Sequence, residues 1–217
     1  MRQEYAERPT RWQVDLDGAW DALGSNDSGV VLATLAAAFE DNDAPAAAVG
    51  VEGDEVSVVV MVPRVADAVP ERKPTTTAAG NLSLKKLTKR ETAEVYTLVV
   101  SGHVLATVKE CFAVARGAQS AKVVAVRPGG TDALGRSKPE VILAAHLRRD
   151  RLASIRWDIT DARTILNECT SELHMRQKGV TKELQPLNLD AHPDVEATVM
   201  AIDFGDLVGS DAEDVIA

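Results

Sequence analysis

Between Thr88 and Gly117 the chain carries a helix that has almost no side to show to water. Thr88-Lys89-Arg90-Glu91 has capping-box spacing: the Thr hydroxyl can accept the amide of Glu91 while the Glu carboxylate reaches back. Val95, Tyr96, Val99, Val100, Leu105, Val108, Cys111, Phe112 and Ala115 then cover most of the circumference. Glu94, Thr97, Ser101 and Lys109 leave a narrow polar stripe, and Gly117 is suited to ending the helix. A helix that is apolar nearly all round is buried. The rest of the chain must therefore wrap residues 88–116. Gly102 costs up to about 1 kcal/mol against alanine in a helix interior, and it leaves room for another backbone to approach.

The elements to wrap it are two hairpins. Ala46 to Val51 and Glu55 to Val62 are β-branched runs separated by the turn cluster Glu52-Gly53-Asp54. Val56, Val58, Val59, Val60 and Val62 form an almost unbroken apolar strand, as expected for a strand covered on both faces. The second hairpin runs from Ala121 to Arg127 and from Glu140 to Leu147, joined by a loop with Pro128, Gly129, Gly130, Asp132 and Gly135. Shorter helices are predicted at Asp15 to Leu23, from Ser28 as N-cap to Phe39, within 148–157, from Asp161 to a stop at Gly179, and from Pro193 to about Ala201. Residues 63–90, with Pro63, Pro70 and Pro74, read as a long connection.

The expected fold class is α+β. A mainly antiparallel sheet from the hairpins at about 46–62 and 121–147 is packed by the long helix at about 88–116, with a helical C-terminal part. Residues 1–28 read as a polar, helical extension, 29–202 as one domain and 203–217 as an acidic tail.

Composition narrows the function classes. A formal net charge of −9 argues against polyanion binding by the whole surface, because phosphate contacts need clustered cations. Cys111 and Cys169 lie on apolar helical stretches, lack metal-ligand spacing and read as buried thiols. The N-terminus opens polar, and no stretch approaches the roughly 18 uncharged apolar residues of a membrane span. The expected address is the cytoplasm, with no membrane involvement.

Three stretches carry a resemblance. Val69-Pro70-Glu71-Arg72-Lys73-Pro74, Gly80-Asn81-Leu82-Ser83-Leu84-Lys85-Lys86-Leu87-Thr88-Lys89 and Val104 to Ala115 resemble a region of uncharacterised actinobacterial proteins. Thr181-Lys182-Glu183-Leu184-Gln185-Pro186-Leu187 adds to the likeness, which covers about residues 30–200. It implies a bacterial protein and no particular activity.

No P-loop, dinucleotide-binding glycine motif, H-E-x-x-H or G-x-S-x-G is present, so no cofactor is expected. His103, His146, His174 and His192 are scattered, with no partner at ligand spacing. His103 and Cys111 lie about 12 Å apart along their helix, too far to form a nucleophile–base pair. Asp132 and Glu140 are hard oxygen donors that could together hold Mg²⁺ for phosphodiester cleavage, as in a metal-dependent nuclease or phosphohydrolase. The plainer reading makes Asp132 a turn residue and Glu140 a solvent-facing strand charge.

The local charge anomaly is Arg72, Lys73, Lys85, Lys86, Lys89 and Arg90, which could dock an anionic protein surface, nucleotide or nucleic acid. The segment lacks interleaved aromatics for base stacking, so nucleic acid is not favoured. The leading expectation is a non-catalytic interaction or scaffold module with a protein partner or a second copy of itself.

Overall fold

A computed structural model of the chain describes residues 4–131, 137–202 and 204. Helices α1 (Glu4–Gly24) and α2 (Ser28–Phe39) precede a first hairpin, β1 (Ala46–Glu52) and β2 (Glu55–Met61). A short helix α3 (Val65–Ala68) and a small hairpin, β3 (Arg72–Thr76) and β4 (Leu82–Lys86), lead into α4 (Lys89–Val114). The second main hairpin is β5 (Ser120–Thr131) and β6 (Ser137–Arg148). Then come α5 (Arg149–Ala153), α6 (Ala162–Cys169), β7 (Thr170–His174), β8 (Arg176–Gln177), β9 (Leu184–Gln185) and α7 (Pro193–Met200).

The fold is α+β. The main sheet has order β1-β2-β5-β6-β7. Its pairs are antiparallel except β2–β5, which is parallel. That step is parallel because β2 reaches β5 through α4, a crossover that parallel neighbours require.

The apolar run in β2 has the expected cause. Val56, Val58 and Val60 face a core built with Val123, Ala125, Leu143 and Leu147 under α2, α4 and α6. Val59 and Met61 face the other way, with Val124, Val126, Val141 and Ala144, under Val195 and Val199 of α7.

The Thr88–Glu91 capping box forms as expected at the start of α4. The polar stripe of α4 does not lie where the sequence suggests. Thr97 and Ser101 are buried, and the water-facing side carries Leu98, Ala106, Lys109 and Ala113. A small hydroxyl residue can be buried in a helix when it bonds back to the preceding turn, as the Thr97 hydroxyl does in donating to the Ala93 carbonyl at 2.8 Å; the Ser101 hydroxyl is buried without such a bond. Gly102 faces open space, so no backbone approaches it.

An 18-residue window of α4 has mean hydropathy 1.4, enough by length and composition to cross a membrane. Here the helix packs into the core beside the sheet. Its C-terminus is closed by Arg149, which donates to the carbonyls of Phe112 and Ala115 at 2.8 and 2.7 Å and of Ala118 at 2.6 Å. A guanidinium there meets both the orphan carbonyls and the negative end of the helix dipole. Gly117 is required for space: a Cβ would lie 2.3 Å from the Gly24 carbonyl at the end of α1.

Several element boundaries differ from the sequence reading. Asp27, not Ser28, caps α2 and accepts from the Val30 amide at 3.0 Å. The helix begun by Asp161 stops at Cys169, well before Gly179, because the next residues pair with β6 as the edge strand β7. Residues 63–90 are not an unstructured connection. Their prolines and short apolar runs hide β3–β4, whose turn closes through Thr77 and Gly80. Gly80 there has φ +80°, a conformation that favours glycine.

Candidate functional site

The basic residues singled out from sequence come together at one end of α4. Arg72 pairs opposite Lys86 and Lys73 opposite Lys85 across β3–β4, while Lys89 and Arg90 open α4. Directly opposite residues share a face in an antiparallel pair. One face therefore carries Arg72, Pro74, Thr76, Leu82, Leu84 and Lys86. Leu82 is 87% exposed and Leu84 63%.

The other face is tied down. Lys73 forms an ion pair with Glu91. The hydrogen bond from Lys73, followed by those from Thr88, holds the Glu91 carboxyl at about 2. Arg90 pairs with Glu94 at 2.9 Å. The hairpin is thus a basic platform with an apolar centre, a combination that the charge count alone did not reveal.

At the other end of α4 lies α1. Its last turn joins the body: Leu23 packs on the core, the Gly117 amide donates to the Leu23 carbonyl at 3.3 Å, and Arg116 sits 3.9 Å from the Trp20 ring centroid. From Arg11 to Asp21 every side chain is exposed. Trp12 is 71% exposed, and Leu16 and Trp20 are each 57% exposed. Trp12, Leu16 and Trp20 follow one another at i, i+4 spacing, so they form one stripe along the helix.

Of the proposed oxygen pair, Asp132 lies outside the described residues. Glu140, on β6, is not a free solvent charge. Arg127 binds its carboxylate through Nε at 2.9 Å and through a terminal nitrogen at 2.8 Å, and it also reaches the Leu184 carbonyl.

Three histidines that are scattered in sequence meet on the α7 side of the sheet. Strand register aligns Lys122, His146 and Glu172 across β5, β6 and β7. A bulge between the pairs His146–Glu172 and Leu147–Thr170 leaves Ser171 unpaired. Its Oγ lies 2.7 Å from His146 Nδ1. Glu55 ties the row together: Oε1 meets Lys122 Nζ at 2.7 Å, and Oε2 lies 2.8 Å from His146 Nε2. Burial pushes the Glu55 carboxyl up, but the hydrogen bond and charge of Lys122 outweigh it, and the carboxyl rests below its ordinary value. His174 Nε2 meets Glu172 at 2.8 Å, and its ring lies 4.2 Å from that of His192.

A serine beside a histidine is the first part of a nucleophile–base pair. The second part is poor here. His146 Nε2 makes no hydrogen bond of acceptable angle with Glu55, whose carboxylate also serves Lys122 and Ser120. The cavity alongside measures about 30 Å³, space for a water or two. No group of three or more His, Cys, Asp or Glu among the described residues is arranged to hold a metal ion.

His103 lies apart, near Asn42 and Glu110. Cys111 and Cys169 are buried free thiols, and burial pushes Cys111 up to about 12.

No protein-family model, no curated protein and no solved structure matches this chain.

Proposed function

We propose that the chain is a non-catalytic interaction module that engages a protein partner through two projecting elements, α1 and the β3–β4 hairpin. The observation that carries this reading is the Trp12-Leu16-Trp20 stripe, exposed on a helix whose last turn joins the body. Most helical stability in proteins comes from packing an apolar face, which the exposed part of α1 does not do. An isolated two-stranded hairpin is marginal for the same reason. Both elements lack the cover that would stabilise them, and both expose large apolar side chains that a partner can bury.

The apolar centre of the hairpin favours a protein surface over nucleic acid, whose backbone would use the cations and leave Leu82 and Leu84 in water. Catalysis is the weaker reading, because the Ser171–His146 contact has no well-oriented carboxylate and little room beside it.

A photo-reactive side chain placed at Leu16 or at Leu84 of the full chain tests the reading. Discrete protein adducts are expected from both positions and none from Ile159, an equally exposed apolar residue of the body. Absence of adducts at both positions overturns the proposal, as does hydrolysis of a model ester that is lost in Ser171→Ala and His146→Ala.

A further inference from the structure

We propose that the partner is a second copy of this chain, with α1 of each copy lying on the Leu82–Leu84 face of the other's β3–β4 hairpin. The inference rests on the reading of the chain as an interaction module and names the partner of those same surfaces.

Three observations support it. The first is apolar match. The helix offers Trp12, Leu16 and the part of Trp20 that Arg116 leaves open in one stripe, and the hairpin offers Pro74, Leu82 and Leu84 on one face.

The second is charge. At 100° per residue, Asp15 and Asp17 fall on either side of the tryptophan stripe. Arg72 and Lys86 sit opposite each other at the base of the hairpin face. Residues 72–90 contain no acidic side chain, whereas residues 12–24 contain no basic one. Two α1 helices laid together would bring aspartates against aspartates. An α1 on a hairpin brings aspartates against Arg72 and Lys86, which favours encounter and fixes orientation.

The third is geometry. The root of α1 lies at the C-terminal end of α4, and the hairpin lies at its N-terminal end. The two are separated by the 26 residues of α4, about 39 Å at 1.5 Å per residue. The 21 residues of α1 span about 31 Å. When two copies are related by a two-fold axis with their α4 helices antiparallel, the α1 root of each faces the hairpin of the other. One rotation then makes both contacts and closes the assembly, as an isologous interface requires.

The size is adequate but not generous. The exposed parts of four tryptophans amount to on the order of 600 Å², given the roughly 150–250 Å² that a large aromatic buries. A similar area from the hairpins reaches the lower end of the roughly 1,200–2,000 Å² of specific interfaces. Both contacts are therefore needed, and loss of either should dissociate the pair.

Charge reversal on the full chain is the decisive test, read by light scattering with helix content checked by circular dichroism. The wild type is expected to be a dimer that weakens with added salt. Asp15→Lys with Asp17→Lys, and separately Arg72→Glu with Lys86→Glu, should each give monomers. Mixing the two variants should restore a dimer, because each reversed α1 then meets a reversed hairpin and each native α1 a native one. Leu82→Ser with Leu84→Ser should raise the dissociation constant at least tenfold.

A wild type that stays monomeric at every concentration overturns the inference, and so does a mixture that stays monomeric. A dimer that survives the hairpin variants but not Trp12→Ala with Trp20→Ala overturns it in favour of α1–α1 pairing. Photo-adducts at Leu16 and Leu84 to some other protein would leave the interaction module standing while removing the second copy as its partner.

Discussion

Two hairpins in this molecule have opposite fates. β5–β6 has sheet neighbours on both edges and is covered on both faces, by α4 and α6 on one and α7 on the other. β3–β4 is a separate two-stranded sheet, and its Leu82 and Leu84 point into water. In the first, an apolar side chain contributes to folding. In the second, the same kind of side chain contributes almost nothing to the folded monomer and is free to contribute to binding.

The largest effect that can break this comparison is on the β5–β6 side. Leu143→Ala removes a fully buried side chain from the core. It should cost about 3 kcal/mol in urea unfolding, the usual range for deletion of a buried leucine. A loss below about 1 kcal/mol would mean that this hairpin is packed no better than β3–β4.

A smaller effect should appear where the basic hairpin is anchored. The folded-state pKa of Glu91, about 2, lies below its ordinary value of 4.5. Its contribution is therefore fully present above about pH 4.5 and is lost as the pH falls towards 2. Glu91→Gln should flatten the decline of the melting temperature across that window while changing the region above it little in slope. An unchanged acid limb would show that the Lys73–Glu91 pair does not hold the hairpin to α4.

The smallest effect sharpens the comparison most. Leu84→Ser, measured on protein dilute enough to be monomeric, should change stability by less than about 0.5 kcal/mol, as for surface sites away from special features. A loss comparable to that of Leu143→Ala would place Leu84 in the core of the monomer.

Legibility followed the range of the physics. The capping box at Thr88–Glu91, the burial of the long helix, the first hairpin and the Pro193 helix start all depend on neighbours a few residues apart, and all are present. The basic cluster was legible as charge, but its arrangement on a hairpin with an apolar centre was not. Pro74 and the short run Leu82-Ser83-Leu84 carry too little periodicity to declare a strand. The helix reading began at Asp15, so it took in Leu16 and Trp20 but left Trp12 outside, and the stripe along α1 (Glu4–Gly24) was not seen.

The sequence by itself determined that a capped, apolar helix would organise an α+β core, because helix period, caps and strand alternation are local properties of the chain. Only the tertiary structure decided what sits beside what. Register set Lys122, His146 and Glu172 in a row, and a one-residue bulge turned Ser171 towards His146. The docking of α1 by its last turn left Trp12, Leu16 and Trp20 in water, at the opposite end of α4 from the basic hairpin. Such proximities arise from packing between elements far apart in the chain, and no spacing within the sequence encodes them.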